Sequence, residues 1–191
     1  GYWFINNKGE RFVREDGRRD EMAKAMIAQP DGLVYYIFSC EDPNEVYSLG
    51  KQTLQYYLDN NLYGYMIDTS LEGLAEQMGV PADTLAKTVE AFNAHTKAGD
   101  VDEFGRTSWA ETIEGPYYVA YQRKPAAHHT MGGVRIDTET HALRADGSII
   151  EGLYCAGEIV GGIHGGNRLG GNAIVDFCVF GRLAGTHAAT D

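Results

Sequence analysis

Over the first 120 residues the apolar positions come in short runs whose period switches between two and about three and a half. Tyr2 to Ile5 and Arg11 to Val13 flank Asn6-Asn-Lys-Gly9, which predicts a hairpin. Residues 20–29 predict a short helix that stops before Pro30-Asp-Gly32. The β-branched and aromatic run Leu33-Val-Tyr-Tyr-Ile-Phe-Ser39 predicts a strand. Thr69-x-x-Glu72 has the form of a capping box ahead of Leu71, Leu74 and Met78. Pro81 suits the first turn of a further helix with Leu85, Val89 and Phe92 on its apolar side and Gly99 as its stop. The polar residues 100–114 predict a loop before the aromatic run Tyr117-Tyr-Val-Ala-Tyr121.

The pattern changes near Lys124-Pro125, from an α+β module to a strand-rich, glycine-rich module that ends in one helix. A β-like run ending at Tyr154-Cys155 leads into a turn crowded by Gly157, Gly161, Gly162, Gly165, Gly166, Gly170 and Gly171 and carrying Arg168. Glycines remove side chains where a backbone approaches a planar or anionic ligand. Residues 172–187 then read as a helix, with Ile174, Val175, Phe177, Cys178 and Leu183 as apolar positions. The amino end of such a helix carries free N–H groups and a partial positive charge, which suits an anion. The glycine spacing is neither G-x-x-x-x-G-K-[ST] nor a clean G-x-G-x-x-G, so an ordinary tight crossover from strand to helix is the alternative reading.

Composition narrows the choice of partner. With 43% hydrophobic and 23% charged residues the chain can build a core, and a net charge of −11 with scattered Lys and Arg argues against nucleic acid. No apolar run approaches the roughly 20 residues that a membrane-spanning helix needs. Cys40, Cys155 and Cys178 are far apart and form no C-x-x-C, so no zinc or haem site is expected and no metal ligand is assigned. The chain opens on Gly1 and a strand-like run, which reads as an interior segment of a longer polypeptide.

Three motifs in order carry a resemblance. Gly9-Glu-Arg-Phe-Val13 leading to Arg19-Asp20, His128-His-Thr-Met-Gly-Gly-Val134 with Arg135-Ile-Asp137, and Cys155-Ala-Gly-Glu158 followed by Gly166-Asn-Arg168-Leu-Gly-Gly-Asn172 resemble the flavoprotein subunits of the fumarate reductase/succinate dehydrogenase superfamily. The soluble fumarate-reductase-type enoate reductases are the nearest match, and the likeness covers essentially the whole chain. It implies an α+β capping domain over residues 1–124. Residues 125–191 would be the C-terminal strand-rich segment and helix of an α/β FAD-binding domain. The amino-terminal dinucleotide-binding half would lie upstream of Gly1.

The resemblance also implies roles. Non-covalent FAD would supply hydride from N5, and an electron donor protein or domain would reduce it. His128, Arg168 and the Gly171 N–H would hold the carboxylate of a small dicarboxylate or enoate. Arg19 would deliver the proton from the cap, with Arg18 as a lesser candidate, because Arg14-Glu-Asp-Gly-Arg-Arg-Asp20 differs from the family's Asn-Glu…Thr-Arg-Asp. The bland alternative pairs Arg19 with Glu15 at i, i+4. His129, Glu158 and the backbone of Ala173 and Ile174 would contact the flavin, and the Thr130 and Met131 carbonyls could meet a sodium ion. His95, His141, His164 and His187 are left as surface or packing residues. Urocanate, another enoate or a ketosteroid is the alternative substrate, and a non-catalytic interaction fragment is the alternative class.

Overall fold

The computed structural model describes residues 3–47 and 52–190, which form two compact units, Gly1–Pro125 and Ala126–Asp191.

The first unit is built on a four-stranded antiparallel sheet. Its strands are β1 (Phe4–Ile5), β2 (Val34–Cys40), β3 (Tyr65–Asp68) and β4 (Tyr117–Arg123), in the order β1-β2-β4-β3. Helices α1 (Arg19–Ile27), α2 (Leu54–Asp59), α3 (Leu71–Met78) and α4 (Ala82–Ala98) fill the intervals. One side of the sheet presents Ile5, Tyr35, Ile37 and Ala120 to Leu74, Ala75 and Met78 of α3 and Leu85, Val89 and Phe92 of α4. Trp3 stacks on Phe92 with ring centroids 4.4 Å apart, and the Tyr35 hydroxyl donates to the Met78 carbonyl at 2.9 Å. Each of these larger side chains contributes about 1.5–3 kcal/mol by leaving water, so this face dominates the stability of the unit.

Alternation along the strands turns the other residues outward. Tyr36, Phe38, Tyr65 and Tyr121 form a continuous ring cluster, with centroids 4.7 Å apart for Tyr65 and Tyr121 and 5.0 Å for Tyr36 and Tyr121. Tyr57 of α2 joins it at Tyr65, and the Arg123 guanidinium lies 4.5 Å over the Tyr121 ring.

Two local expectations are corrected. Asn6-Asn-Lys-Gly9 does turn the chain, with the Asn6 side-chain oxygen accepting from the Lys8 and Glu10 N–H groups. No strand follows at residues 11–13, however, and β1 pairs with β2 instead, Phe4 facing Tyr36. The first residue of the predicted strand, Tyr2, lies outside the described residues. The cap of α3 is Ser70 rather than Thr69: its hydroxyl accepts from the Gly73 N–H at 3.0 Å, and Asp68 fixes it by accepting from the Ser70 N–H and hydroxyl. The α4 helix runs from the Pro81 cap to Gly99, which takes the left-handed conformation that closes the helix (φ 67°).

The second unit contains the antiparallel pair β5 (His141–Leu143) and β6 (Ile149–Tyr154) and the helix α5 (Asn172–Thr190). A single parallel bridge ties Val134 to Val160, and a 3-10 turn at Gly157–Ile159 follows β6. Gly133 and Gly161 meet at that bridge. A Cβ on Gly133 would overlap the Ile159 carbonyl oxygen and sit 2.9 Å from the Gly161 nitrogen, so only bare backbone fits there. On α5, Ile174, Val175, Phe177 and Val179 are exposed. Among the described residues no helix is long and apolar enough to cross a membrane.

Candidate functional site

In the second unit the bridge between Val134 and Val160 draws the His128–Gly133 segment against the turn after β6. The Glu158 carboxylate is the fastening: its Oε1 accepts from the Thr130 N–H at 2.9 Å. That donation holds the Glu158 carboxyl below the usual carboxylate range, and the nearby His129 adds to it. His129 Nδ1 lies 3.6 Å from Glu158 Oε2, and the His129 ring meets His164 edge-on with centroids 5.5 Å apart. His164 in turn contacts the buried Asp176 of α5 through Nε2 at 2.9 Å. Thr130, Glu158, His129, His164 and Asp176 therefore form one continuous polar array from the loop to the helix. His128 beside it is exposed.

His164 and Asp176 are members that sequence reasoning left out. His164 sits inside the glycine-rich turn and carried no spacing signal of its own, and its partner follows twelve residues later.

Arg168 is only 7% exposed, although it sits in a turn made largely of glycine. Its Nη1 donates to the Leu169 carbonyl at 3.2 Å. At the following residues Gly171 takes φ 87°, and α5 begins with Asn172. Its first turn contains no acidic residue, which leaves the positive end of the helix uncompensated. The Ile174 N–H donates to the Gly171 carbonyl at 3.0 Å, tightening the helix start.

In the first unit Arg19 is the first residue of α1 and is exposed. Helix dipoles disfavour a cation there, and Asp20 and Glu21 in the same turn offset that. Arg18 is engaged by Asp20 through two contacts of 3.0 and 3.1 Å. Glu15 lies in a turn ahead of the helix, and its carboxylate accepts from Arg11 at 2.7 and 2.9 Å and from Arg106 at 3.1 Å.

The glycine turn leaves room for a flat anionic ligand. A Cβ built on Gly162, Gly165, Gly166 or Gly171 would meet no atom within 4 Å, so open space borders the backbone there, beside a buried guanidinium and an uncompensated helix end. Glu158 keeps acceptor capacity beyond its bond to Thr130, since a carboxylate offers about four lone-pair sites. Such donors and acceptors suit the hydroxyls and the anionic ring of FAD.

Comparison with known proteins gives this arrangement its class. Residues 1–174 match the family model described as FAD binding domain, and the chain belongs to that family. It falls within the FAD-dependent fumarate reductase/succinate dehydrogenase flavoprotein superfamily, a family of oxidoreductases whose cofactor is FAD. It is 40% identical over 186 residues to an NADH:acrylate oxidoreductase of Vibrio harveyi, covering 97% of this chain and 18% of that protein. It is also 40% identical over 190 residues to a probable fumarate reductase of Shewanella frigidimarina, covering 99% and 31%. Among solved structures, the open conformation of a flavocytochrome c3 fumarate reductase matches with TM-score 0.72 and 37% identity, covering 100% of this chain and 32% of that one. The chain thus spans between about a fifth and a third of the length of these relatives.

Proposed function

We propose that this chain is the capping domain (residues 1–124) and the carboxyl-terminal part of the FAD-binding domain (residues 125–191) of an oxidoreductase that reduces the C=C bond of fumarate, acrylate or a related α,β-unsaturated carboxylate. The observation that carries the reading is the buried Arg168 in a glycine turn that opens onto empty space at the positive end of α5. Names among the relatives, acrylate and fumarate reductases at 40% identity, support the substrate class.

Reduced FAD, held by Glu158 and His129, would supply the hydride, its electrons coming from a donor protein or domain. The chain's own residues supply the rest. Arg168 holds the substrate carboxylate, His128 and the Gly171 N–H add donors, and together they stabilise the negative charge that spreads onto the carboxylate as the double bond is reduced. Burial makes Arg168 more effective, because a charge interaction strengthens as local dielectric falls. Arg19 delivers the proton to the neighbouring carbon. A guanidinium is ordinarily a fixed cation, so its proton leaves only as charge develops on the substrate. Glu158 and His129 hold the cofactor, and Thr130 fixes the Glu158 carboxylate for that task.

Residues 1–191 alone are expected to be inactive, so the test is anaerobic reoxidation, by fumarate, acrylate and urocanate in parallel, of the dithionite-reduced, flavin-loaded protein that joins this chain to its dinucleotide-binding half. Arg168→Gln is expected to raise KM and lower kcat, and Arg19→Gln to lower kcat by roughly 10²–10⁴ with the flavin still bound. No reoxidation by any of the three acids would reject the reading.

A further inference from the structure

Four charged side chains of the first unit, far apart in sequence, are packed together out of water. Arg11 Nη2 contacts Glu15 Oε2 and Asp102 Oδ2, each at 2.7 Å, and Arg106 Nη1 contacts Glu15 Oε2 at 3.1 Å. Glu15 and Asp102 have no exposed side-chain surface, and Arg106 has 2%. The guanidiniums lie against aromatic rings, Arg11 5.0 Å over Phe104 and Arg106 5.0 Å over Trp109 and 5.3 Å over Phe92. Burial by itself would raise the Asp102 carboxyl. It is nevertheless held low, because the Arg106 N–H and Arg11 both donate to it.

Next to this cluster, Asp16 Oδ2 accepts from the Thr107 and Ser108 N–H groups, each at 2.9 Å. The loop 102–108 is therefore clamped to the turn 14–16 by two successive carboxylates, Glu15 and Asp16. The clamp is also anchored in the core, because Phe92 under Arg106 stacks on Trp3.

Three residues after that turn comes Arg19. The helix that it opens buries Met26 near its far end, while its first turn carries only the half-buried Met22 as an apolar contact. We infer that Arg106, with Glu15 and Asp16, forms a latch whose role is to position Arg19: the loop 102–108 sets where the guanidinium stands when it delivers its proton. This rests on the reading of Arg19 as the proton donor. Arg106 is then a positioning residue, touching neither substrate nor flavin. A displacement of about 1 Å at a proton donor costs roughly 10²-fold in rate, while a carboxylate held by other residues keeps its affinity.

The experiment compares Arg106→Gln, Arg106→Lys, Asp16→Ala and Arg19→Gln in the flavin-loaded protein, with whichever of fumarate and acrylate the unmodified protein reduces. Steady-state rates are expressed per bound flavin, and melting temperature is recorded for each variant. Arg106→Gln is expected to lower kcat about 100-fold with KM within about twofold, Arg106→Lys to recover part of that loss, and Asp16→Ala to lower kcat about tenfold. The solvent isotope effect on kcat should rise in all three, since a misplaced donor makes proton transfer limiting; a purely structural role would not move it.

If Arg19→Gln abolishes turnover while Arg106→Gln keeps kcat within about threefold, the latch is wrong and the donor stands. A lower melting temperature with kcat per flavin unchanged also overturns the latch. Normal turnover in Arg19→Gln rejects the donor and the latch together. Should Arg106→Gln fail to fold, Asp16→Ala decides, because that side chain lies at the edge of the cluster; an unchanged kcat there overturns the proposal.

Discussion

Adding one methyl group at Gly133 tests how closely the two backbones of the second unit must approach. The Val134 N–H donates to the Ile159 carbonyl at 2.8 Å, and the Gly161 N–H donates to the Val134 carbonyl at 3.0 Å. A Cβ on Gly133 would overlap that Ile159 oxygen and lie 2.8 Å from its carbon, atoms that cannot swing aside as a side chain can. Separating the chains by roughly an ångström breaks both bonds, at about 1 kcal/mol each, and adds about 1–3 kcal/mol of packing strain. The sum is about 3–5 kcal/mol, or roughly 6–20 °C in melting temperature for a chain of this size. Gly132 is the control, because a Cβ there meets nothing within 4 Å and Gly132→Ala should stay within about 0.5 kcal/mol of the unmodified protein. The assay is thermal release of flavin, followed by the rise in its fluorescence. If the Gly133→Ala and Gly132→Ala proteins release flavin within about 2 °C of each other, the bare crossing is not a constraint and the reasoning fails.

Other outcomes follow from the first unit. Leu85→Ala empties a fully buried position between α4 and the sheet, and should cost about 2–5 kcal/mol in urea unfolding followed by emission of Trp3 and Trp109; a loss under 1 kcal/mol would mean that the core is not where the structure puts it. Ser70→Ala removes the hydroxyl that accepts from Gly73 and should cost about 1 kcal/mol, whereas Thr69→Ala should be nearly silent in the same assay. The Asp16 and Asp102 carboxyls are both held low, since burial, which alone would raise them, is outweighed by Arg14 and the Thr107 and Ser108 N–H groups at Asp16 and by the Arg106 N–H and Arg11 at Asp102. Their contribution is complete above the ordinary carboxylate range near pH 4 and is lost as pH falls below it, so the urea midpoint should drop on acidification and drop less steeply in Asp102→Asn.

Much of this fold is written locally in the chain. The α4 helix is legible because Leu85, Val89 and Phe92 repeat at helical spacing between a proline and a glycine, and β2 because seven successive residues favour extended backbone. Errors arose where two neighbours offered the same chemistry or where the partner was distant. Thr69 and Ser70 are both competent caps, and Asp68 chooses between them by gripping Ser70. Residues 11–13 suggest a strand, yet Arg11 is drawn instead into a cluster with Asp102, ninety-one residues away in sequence. No periodicity records such a pairing. In the second unit the motifs that carry the resemblance picked out Arg168, Glu158 and the two adjacent histidines. Their geometry explains what pattern could not: Glu158 is bound to Thr130, and His129 leads through His164 to Asp176.

The buried quartet of Arg11, Glu15, Asp102 and Arg106 carries two positive and two negative charges and sums to zero. Losing any one member leaves a net charge stranded among aromatic rings, a far heavier burden than losing a complementary pair. Evolution can therefore alter these positions only in concert. Across any large set of relatives the four should be inherited as a block, and lineages that replace one arginine by an apolar residue should have neutralised a carboxylate alongside it. Such linked inheritance would join two stretches of the gene that share no local sequence signal.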